Sequence, residues 1–508
     1  MENTASKIAE ERIPVIIGIG EVTERLTDGA IGREPLALLQ AAISAAFTEV
    51  GVGAAAQADL SALIDGVELV NQMGWRYGDL ARSAAEAAGL SHARATQSPV
   101  GGNMPTWLLA EAGRRIHAGE LRGALICGVE ATASLAAAAR VKQTPSWTPQ
   151  PPAAARPKMP DFFHPEAIKY GLHLPLDVYP LYDNACRAAW GQSFDAAQEE
   201  SGVIGAQMSQ AASNNPYAWL PQARDAAEVR TPSSDNRLIS YPYTKWMIAN
   251  PMVNQASAVI VTSLANARAL GVPHKRLIYV WSGVGGAEPR DILARHTFTE
   301  APAMDAVLKR VLTDNGLDAS PKAVELYSCF PSVPKLARRS LGLAAGHPLS
   351  VTGGLVFFGA PVNNYMGHAI CAMVRTLRTG CGDTGLLYGN GEYVTKHHAV
   401  IVSRKAPDHA PQNISLQDEL DAHASHAPAV LTAYSGPSRI ESYTVKYGRD
   451  GAPESGTVVA RTATGERHLA RVTDAATLSA LVSPTHEPID MPGVSATAAD
   501  GFNYWIQG

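Results

Sequence analysis

Residues 352–394 read TGGLVFFGAPVNNYMGHAICAMVRTLRTGCGDTGLLYGNGEYV, and this stretch carries most of the information on the fold. It begins with a Gly-Gly turn, Gly353 and Gly354, and continues to a Gly-x-Pro corner at Gly359-Ala360-Pro361. A long apolar segment with helical spacing follows, and then a strand that ends in Gly389-Asn390-Gly391. Glycine and proline mark the turns, and the apolar runs between them predict buried elements.

The same order of elements occurs twice along the chain. The first half contains predicted strands and helices at 15–20, 35–50, 63–70, 104–118 and 124–129. The second half contains them at 278–281, 304–315, 324–327, 362–378 and 385–388. Strands with near-continuous apolar character that alternate with helices indicate sheets covered on both faces. The predicted fold class is therefore α/β, built from two halves of similar design.

Two further regions accompany these halves. The segment 144–249 opens with a Pro-rich run, 144–160, that cannot form a regular element, and it continues with helix-forming sequence. After residue 404 a polar connector leads to a region, 425–508, that reads as a small β-rich domain. Its predicted strands and helix lie at 440–447, 456–462, 467–472 and 474–482.

Bulk composition excludes several classes of protein. Hydrophobic content of 46% with 18% charged residues is ordinary for a globular protein, and a net charge of -5 over 508 residues gives no nucleic-acid footprint. The five cysteines have no metal-ligand spacing, so no metal site is predicted. The charged N-terminus lacks the apolar run of a secretory signal, and no segment approaches the roughly 20 apolar residues of a membrane span. We therefore expect a cytoplasmic protein with reduced thiols.

Residues 14–404 resemble the thiolases, which make and break carbon–carbon bonds between acyl-CoA units. The resemblance rests on the 352–394 stretch, on QSPVGGNMPTWLLAE at 97–111 and on VELYSCF at 324–330. Together with the C-terminal region, the GAPVNNY and YSCFPS segments are similar to the thiolase-like protein type 1 group, which is usually named acetyl-CoA acetyltransferase by similarity. The resemblance implies duplicated βαβαβαββ halves at 14–270 and 271–404, packed as five αβαβα layers. It also implies a loop domain at about 144–249, while an OB-like nature of 425–508 is an analogy.

The resemblance also implies a catalytic set of two cysteines and a histidine, and this sequence lacks all three. The nucleophilic cysteine corresponds to Val100, the oxyanion-stabilising histidine of the Gly-His-Pro corner to Ala360, and the acid/base cysteine to Gly389. Cys329 has a counterpart in sterol-carrier-type thiolases, but as a structural neighbour, and core packing is its expected role.

Three other side chains are candidates to replace the lost acid/base chemistry: Tyr365, His368 and His398. Tyr365 and His368 stand three residues apart on a predicted helix and could share a hydrogen bond. His398 follows His397 in a predicted strand, so only one of this pair can face a site.

The resemblance further implies a site for CoA or an acyl-CoA, with no covalently bound cofactor. The candidate residues are Ser257 in the segment NPMVNQASAVIVTS, Arg230 and Arg237 in a polar loop, and the Gly353-Gly354 turn. Either arginine could meet phosphates, and either could equally be a plain surface residue.

Three functions remain open on these grounds. The first is an acyl-CoA-binding protein of the thiolase fold without classical thiolase activity, because the nucleophile, the histidine and the acid/base cysteine are lost together. The second is an acyltransferase or lyase that acts on CoA esters by non-covalent chemistry in lipid or sterol metabolism. The third is a scaffold for an active partner enzyme. The resemblance implies a homodimer, and the appended domain allows a monomer.

Overall fold

The computed structural model describes residues 8–27, 30–152 and 162–508. Residues 153–160 of the Pro-rich run predicted at 144–160 therefore lie outside the described residues. The elements of the first half, in chain order, are β1 Pro14–Thr23, α1 Pro35–Val50, α2 Ala54–Leu63, β2 Gly66–Leu69, α3 Leu80–Ala87, β3 Arg94–Gln97, α4 Met104–Ala118, β4 Gly123–Ala131 and α5 Thr132–Arg140.

The inserted region adds several short elements before the chain returns to the first sheet. They are α6 Pro165–Lys169, α7 Pro175–Ala189, α8 Phe194–Ser213, α9 Ala226–Arg230, β5 Leu238–Tyr241 and β6 Tyr243–Thr244, followed by the returning β7 Asn254–Ser263 and α10 Leu264–Ala269. The second half contains β8 Ile278–Ala287, α11 Pro302–Asp314, β9 Ala323–Leu326, α12 Ser332–Ser340, α13 Tyr365–Arg378, β10 Thr384–Gly391 and β11 Lys396–Ser403.

The connector and the C-terminal domain complete the chain. Their elements are β12 Asn413–Ser415, α14 Gln417–Ala422, β13 Val430–Leu431, β14 Gly436–Tyr447, β15 Pro453–Thr462, β16 Arg467–Val472, α15 Ala475–Leu481, β17 Pro492–Thr497 and β18 Asn503–Gln507. Among the described residues no single helix is both long and apolar enough to cross a membrane, and the bent pair α1 and α2 passes that test only when taken together.

The two halves share one sheet topology. Strands of the first half lie in the order β3-β2-β4-β7-β1, and those of the second in the order β8-β11-β10-β9. In each half the first strand therefore pairs with the last, as duplication requires. Among the described residues the second half has no counterpart of β3. At that edge of the sheet the Leu326 amide of β9 donates to Leu349 O at 2.9 Å. The halves join where β1 meets β8.

Helices α4 and α13 form the central layer, because each packs against strands of both halves. Helix α1 covers the outer face of β1 and β7, and α11 covers the outer face of β8 and β11. Every residue of β4 and β7 is buried, as expected for strands of a sheet that is covered on both faces. The layers are therefore helix, sheet, helix, sheet, helix, and the fold class predicted from the sequence is confirmed.

The C-terminal domain is a closed barrel. Strand β14 pairs with β15, β15 with β16, β16 with β18, β18 with β17, and β17 again with β14. Tyr443, Val458, Ala470 and Trp505 fill the interior, and α15 packs beside them. OB folds also have five barrel strands, and the OB-like nature expected for 425–508 stays an analogy. Strand β5 of the inserted region extends this sheet by pairing with β14.

Candidate functional site

The Gly-x-Pro corner is buried and tied to the segment that precedes β7. The Ala360 amide donates to Asn250 O at 2.9 Å, and the Asn250 amide donates to Leu355 O at 3.0 Å. Gly359 has φ +113°, and a Cβ there would lie 2.7 Å from Gln255 Oε1. Only glycine fits this backbone without strain, so the corner and the start of β7 are held in fixed contact.

The loop before α4 contacts both the corner segment and the end of β10. The Gly101 amide donates to Asn363 Oδ1 at 3.1 Å, and Asn363 Nδ2 donates to Asn71 O at 3.0 Å. A Cβ on Gly102 would lie 2.5 Å from Asn390 O and 2.6 Å from Tyr327 Oη. The three segments that were predicted to carry the catalytic positions therefore meet in space.

The three predicted positions, Val100, Ala360 and Gly389, differ in exposure and in the space around them. Val100 is 42% exposed, and its carbonyl accepts a hydrogen bond from Lys396 at 3.2 Å, so the loop approaches the other segments through its glycines instead. Ala360 is buried. Gly389 lies under the first turn of α4, where a Cβ would be 2.9 Å from Asn103 Cα and 3.2 Å from Thr106 Oγ1. A side chain at 389 would collide with the Asn103 backbone directly before α4, so the structure leaves no room for one there.

Aromatic and thiol groups line the point where the segments meet. Tyr327 places its hydroxyl over Gly102, and burial raises the pKa of Tyr327 well above its usual value. Cys329 is buried, and desolvation raises the pKa of its thiol to about 12. A protonated thiol is a poor nucleophile, which fits the packing role expected for Cys329.

Tyr365 and His368 do not share a hydrogen bond, and that expectation was wrong. The Tyr365 hydroxyl donates to Glu325 Oε1 at 2.6 Å, and His368 Nδ1 lies 2.7 Å from Glu21 Oε1. The two carboxylates lie on strands of different halves, Glu325 on β9 and Glu21 on β1, so Tyr365 and His368 bind to different halves of the fold. Both pairs are fully buried, so these side chains fasten α13 between the sheets.

His398 lies beside Gly389. It pairs with Gly389 in the β10–β11 register and with Gly285 in the β8–β11 register, so the three residues share one face of the sheet. A Cβ on Gly285 would lie 3.1 Å from the His398 ring, which explains the glycine-rich end of β8. His397 lies on the other face, where its Nδ1 is 2.8 Å from the Tyr388 hydroxyl.

Hydrogen bonds define the state of the His398 ring. Asn413 Nδ2 donates to Glu111 Oε2 at 3.3 Å, and Asn413 Oδ1 lies 2.9 Å from His398 Nε2. Since that amide oxygen is an acceptor, the imidazole proton is on Nε2 and Nδ1 carries a lone pair. Burial lowers the pKa of His398 to about 4, so the ring is neutral at pH 7. It lines a cleft of about 290 Å³ together with Asn103 and Lys396.

A larger cleft lies on the other side of the corner. It has a volume of about 430 Å³ and is lined by Leu176, Leu220, Arg237, Ile239, Lys245, Trp246, Ile248, Ala249, Asn250, Pro251 and Val356. We call it the apolar cleft. Its lining includes Asn250, whose carbonyl accepts a hydrogen bond from the Ala360 amide, so the cleft adjoins the corner.

Cations surround Trp246, which lines the apolar cleft. Arg224 lies over the Trp246 ring at 4.0 Å from its centre, and Lys245 lies at 4.8 Å. Arg237 also lines this cleft. The sequence reasoning missed Lys245 and Trp246, although the run YTKWMIANPM leads directly into the segment that was proposed to approach CoA.

Of the predicted CoA-binding residues, only Arg237 lines the apolar cleft. Arg230 is paired with Asp195 at 3.2 Å and Glu199 at 3.0 Å on α8. Ser257 is buried in β7, where it accepts a hydrogen bond from Asn364 at 3.1 Å. Gly353 and Gly354 form a left-handed turn with φ +121° and +69°, packed against α8. The two arginines, which the sequence could not distinguish, therefore have different surroundings: Arg230 is in ion pairs, and Arg237 lines the cleft.

Comparisons with known proteins agree with this architecture. A family model described as the thiolase-like protein type 1 additional C-terminal domain matches residues 415–496. The crystal structure of a monomeric SCP2-thiolase-like protein type 1 from Mycobacterium smegmatis is similar with a TM-score of 0.80 and 28% sequence identity, over 98% of this chain and 100% of that chain. An aldolase described as Ltp2-ChsH2(DUF35) shares the fold, with a TM-score of 0.59 and 16% identity over 78% of this chain and 98% of that chain. No curated protein matches the chain.

Proposed function

Because the chain has the fold of the type 1 thiolase-like proteins and carries their additional C-terminal domain, we propose that it binds CoA or an acyl-CoA without forming a covalent acyl-enzyme. The ligand occupies the apolar cleft, with its thioester end toward the Ala360 corner. The mycobacterial relative is described as monomeric, which supports a monomer for this protein over a homodimer.

The observation that carries this proposal is the chemistry of the apolar cleft. Its lining is largely aliphatic and aromatic, and Arg237 and Lys245 supply positive charge, with Arg224 beside Trp246. An acyl-CoA has the complementary order: an apolar acyl chain, a neutral pantetheine and an anionic nucleotide. Hydrogen bonds to charged groups contribute about 1.5–3 kcal/mol each, so one arginine on a phosphate changes the affinity by about 10- to 100-fold.

The absence of covalent catalysis rests on the meeting point of the three segments. The thiol of Cys329, two residues after Tyr327, has a raised pKa because it is buried. Gly389 has no room for a side chain, and Ala360 has no polar group to stabilise an oxyanion. A retained ligand cleft beside a disabled catalytic centre supports binding rather than thiolysis.

Calorimetric titration with CoA, acetyl-CoA and a medium-chain acyl-CoA tests the proposal. We expect wild-type protein to bind, Arg237→Ala to bind about tenfold more weakly, and Arg230→Ala to bind within twofold of wild type. The Arg230 variant is a matched control, since it removes the same charge from a helix that does not line the cleft. Wild-type protein that fails to bind at millimolar ligand contradicts the proposal, as does an equal loss in both variants.

A second candidate function is a non-covalent enzyme, and the position of His398 favours it. His398 is a neutral imidazole on the same face as Gly389, so it could accept a proton near the site of the lost cysteine. Deuterium uptake at the α-carbon of acetyl-CoA in D2O is the measurement. This function requires uptake above the rate in buffer that is lost in His398→Gln and kept in His397→Gln, whose ring lies on the opposite face. Uptake at the buffer rate in wild-type protein rules it out.

A further inference from the structure

The additional C-terminal barrel is attached to two walls of the apolar cleft. One wall is the beginning of α7, where Leu176 lines the cleft. The other is β5 with the residue before it, where Ile239 and Arg237 line the cleft. Both walls contact the same barrel strand, β14. Both walls of the cleft therefore contact a strand that begins more than 190 residues further along the chain.

Strand β5 is an added strand of the barrel sheet. Tyr241 pairs with Val445, and Ser240 pairs with Lys446, in antiparallel register. The rings of Tyr241 and Tyr443 stack with their centres 6.3 Å apart. Pairing with β14 therefore holds the end of β5 that directly follows Ile239.

Helix α7 is bound to β14 through three polar contacts. Asn184 Nδ2 donates to Tyr443 O at 3.0 Å, and Ser442 Oγ donates to Leu181 O at 2.6 Å. Lys446 Nζ lies 2.9 Å from Asp177 Oδ1, and Asp177 is buried one residue after Leu176. The ion pair therefore stands next to the residue that lines the cleft.

We infer that the barrel is a positioning domain for the acyl-CoA site: strand β14 holds β5 and α7 at the spacing that the ligand requires. This inference rests on the proposed function of the apolar cleft. Thermodynamic linkage then makes the effect reciprocal, so that a bound acyl-CoA stabilises the contacts between β14 and both walls.

Two variants of the full chain weaken the attachment at different points. The double variant Asn184→Ala with Ser442→Ala removes the two hydrogen bonds between α7 and β14. The variant Lys446→Ala removes the ion pair between β14 and Asp177 of α7. Arg439→Ala is the matched control, since Arg439 lies on the same strand and pairs with the exposed Asp490 instead of α7 or β5. Hydrogen exchange by mass spectrometry over 175–184 and 238–241 is measured together with the affinity for a medium-chain acyl-CoA.

We expect exchange over these two segments to become about tenfold faster and the affinity to fall about tenfold in both weakened proteins, with Arg439→Ala unchanged. In the wild-type protein, saturating acyl-CoA should slow exchange over 443–446, and this arm needs no variant to fold. Wild-type protein that binds acyl-CoA with unchanged exchange over 443–446, or weakened variants with wild-type affinity, would overturn the inference and leave the proposed function intact. Wild-type protein that binds no acyl-CoA would overturn both.

Discussion

Restoring a cysteine at position 389 should destabilise the protein and should not create thiolase activity. The Cβ of Gly389→Cys would lie 2.9 Å from Asn103 Cα, 3.2 Å from Met366 Cγ and 3.2 Å from Thr106 Oγ1. The Met366 side chain can move, but Asn103 directly precedes α4, and hydrogen bonds of neighbouring residues hold its backbone in place. Gly101 donates to Asn363, and the Thr106 hydroxyl donates to Asn103 O at 2.8 Å. The added atoms therefore displace the first turn of α4.

The magnitude follows from overpacking of a closed interior. Inserting atoms into a well-packed core costs about 1–3 kcal/mol, and the upper end applies where the obstacle is backbone. We expect the free energy of unfolding of Gly389→Cys, from urea titration, to fall by about 2–3 kcal/mol. Its thiol should react slowly with a disulfide reagent, because the site is buried, and acetoacetyl-CoA thiolysis should stay at the rate of wild-type protein.

The control is Gly346→Cys, at a glycine where a Cβ would meet nothing within 4 Å. Its stability should lie within about 0.5 kcal/mol of wild type, and its thiol should react readily. The reasoning is refuted if Gly389→Cys is as stable as this control, or if it gains thiolysis, because α4 would then leave room for a catalytic group.

Three other predictions concern buried charge. Burial raises the pKa of Glu130 from 4.5 to about 7, so between these pH values the folded state holds a proton that the unfolded state has lost. The free energy of unfolding therefore falls by about 3 kcal/mol as pH rises from 4.5 to 7. Chemical unfolding at pH 5 and 8 should show that Glu130→Gln removes this pH dependence. Burial lowers the pKa of His398 from 6.5 to about 4, so the pH dependence has the opposite direction. The stability that the neutral ring contributes is lost as pH falls from 6.5 to 4, and His398→Gln should reduce this loss of unfolding free energy by about 3 kcal/mol. Lys335→Met leaves the buried Asp183 without its partner at 2.9 Å and should cost about 3–5 kcal/mol in urea unfolding, much of which Lys335→Met with Asp183→Asn should recover. An unchanged pH slope in either single variant, or a stable Lys335→Met, would contradict the burial on which these values depend.

The sequence was sufficient for the order of elements and for several of their bounds. Helices α1 and α4 begin and end where predicted, at 35–50 and 104–118. Both combine helical spacing of apolar residues with a glycine just after the last turn, Gly51 and Gly119, in the left-handed conformation. Local signals of this kind do not depend on the rest of the chain.

The contacts between distant segments were beyond such local signals. The sequence gives no means to decide whether Tyr365 bonds to His368 nearby or to Glu325, because the choice depends on which carboxylate the other strands present. Arg230 and Arg237 have equal charge in one loop, and only the packing of α8 and β5 separates an ion-paired arginine from one that lines a cleft.

The sequence predicted that three segments meet, and the structure brings them into contact, while their role as a site stays a prediction. The 97–103 loop, the 359–361 corner and the end of β10 do meet, since glycines at each permit close approach of backbone. Val100 is exposed, however, and Gly102 makes the contact with Tyr327. Lys245 and Trp246 were missed because their role arises from the shape of the cleft, which no spacing in the sequence reveals.

A crystal structure of the protein with a non-hydrolysable acyl-CoA analogue tests the central claim most directly. The account predicts the nucleotide phosphates near Arg237 and Lys245, the acyl end beside the Ala360 corner, and no bond from the protein to the acyl group. A ligand that lies outside the apolar cleft, or an acyl group attached to any cysteine after incubation with the natural thioester, would contradict it.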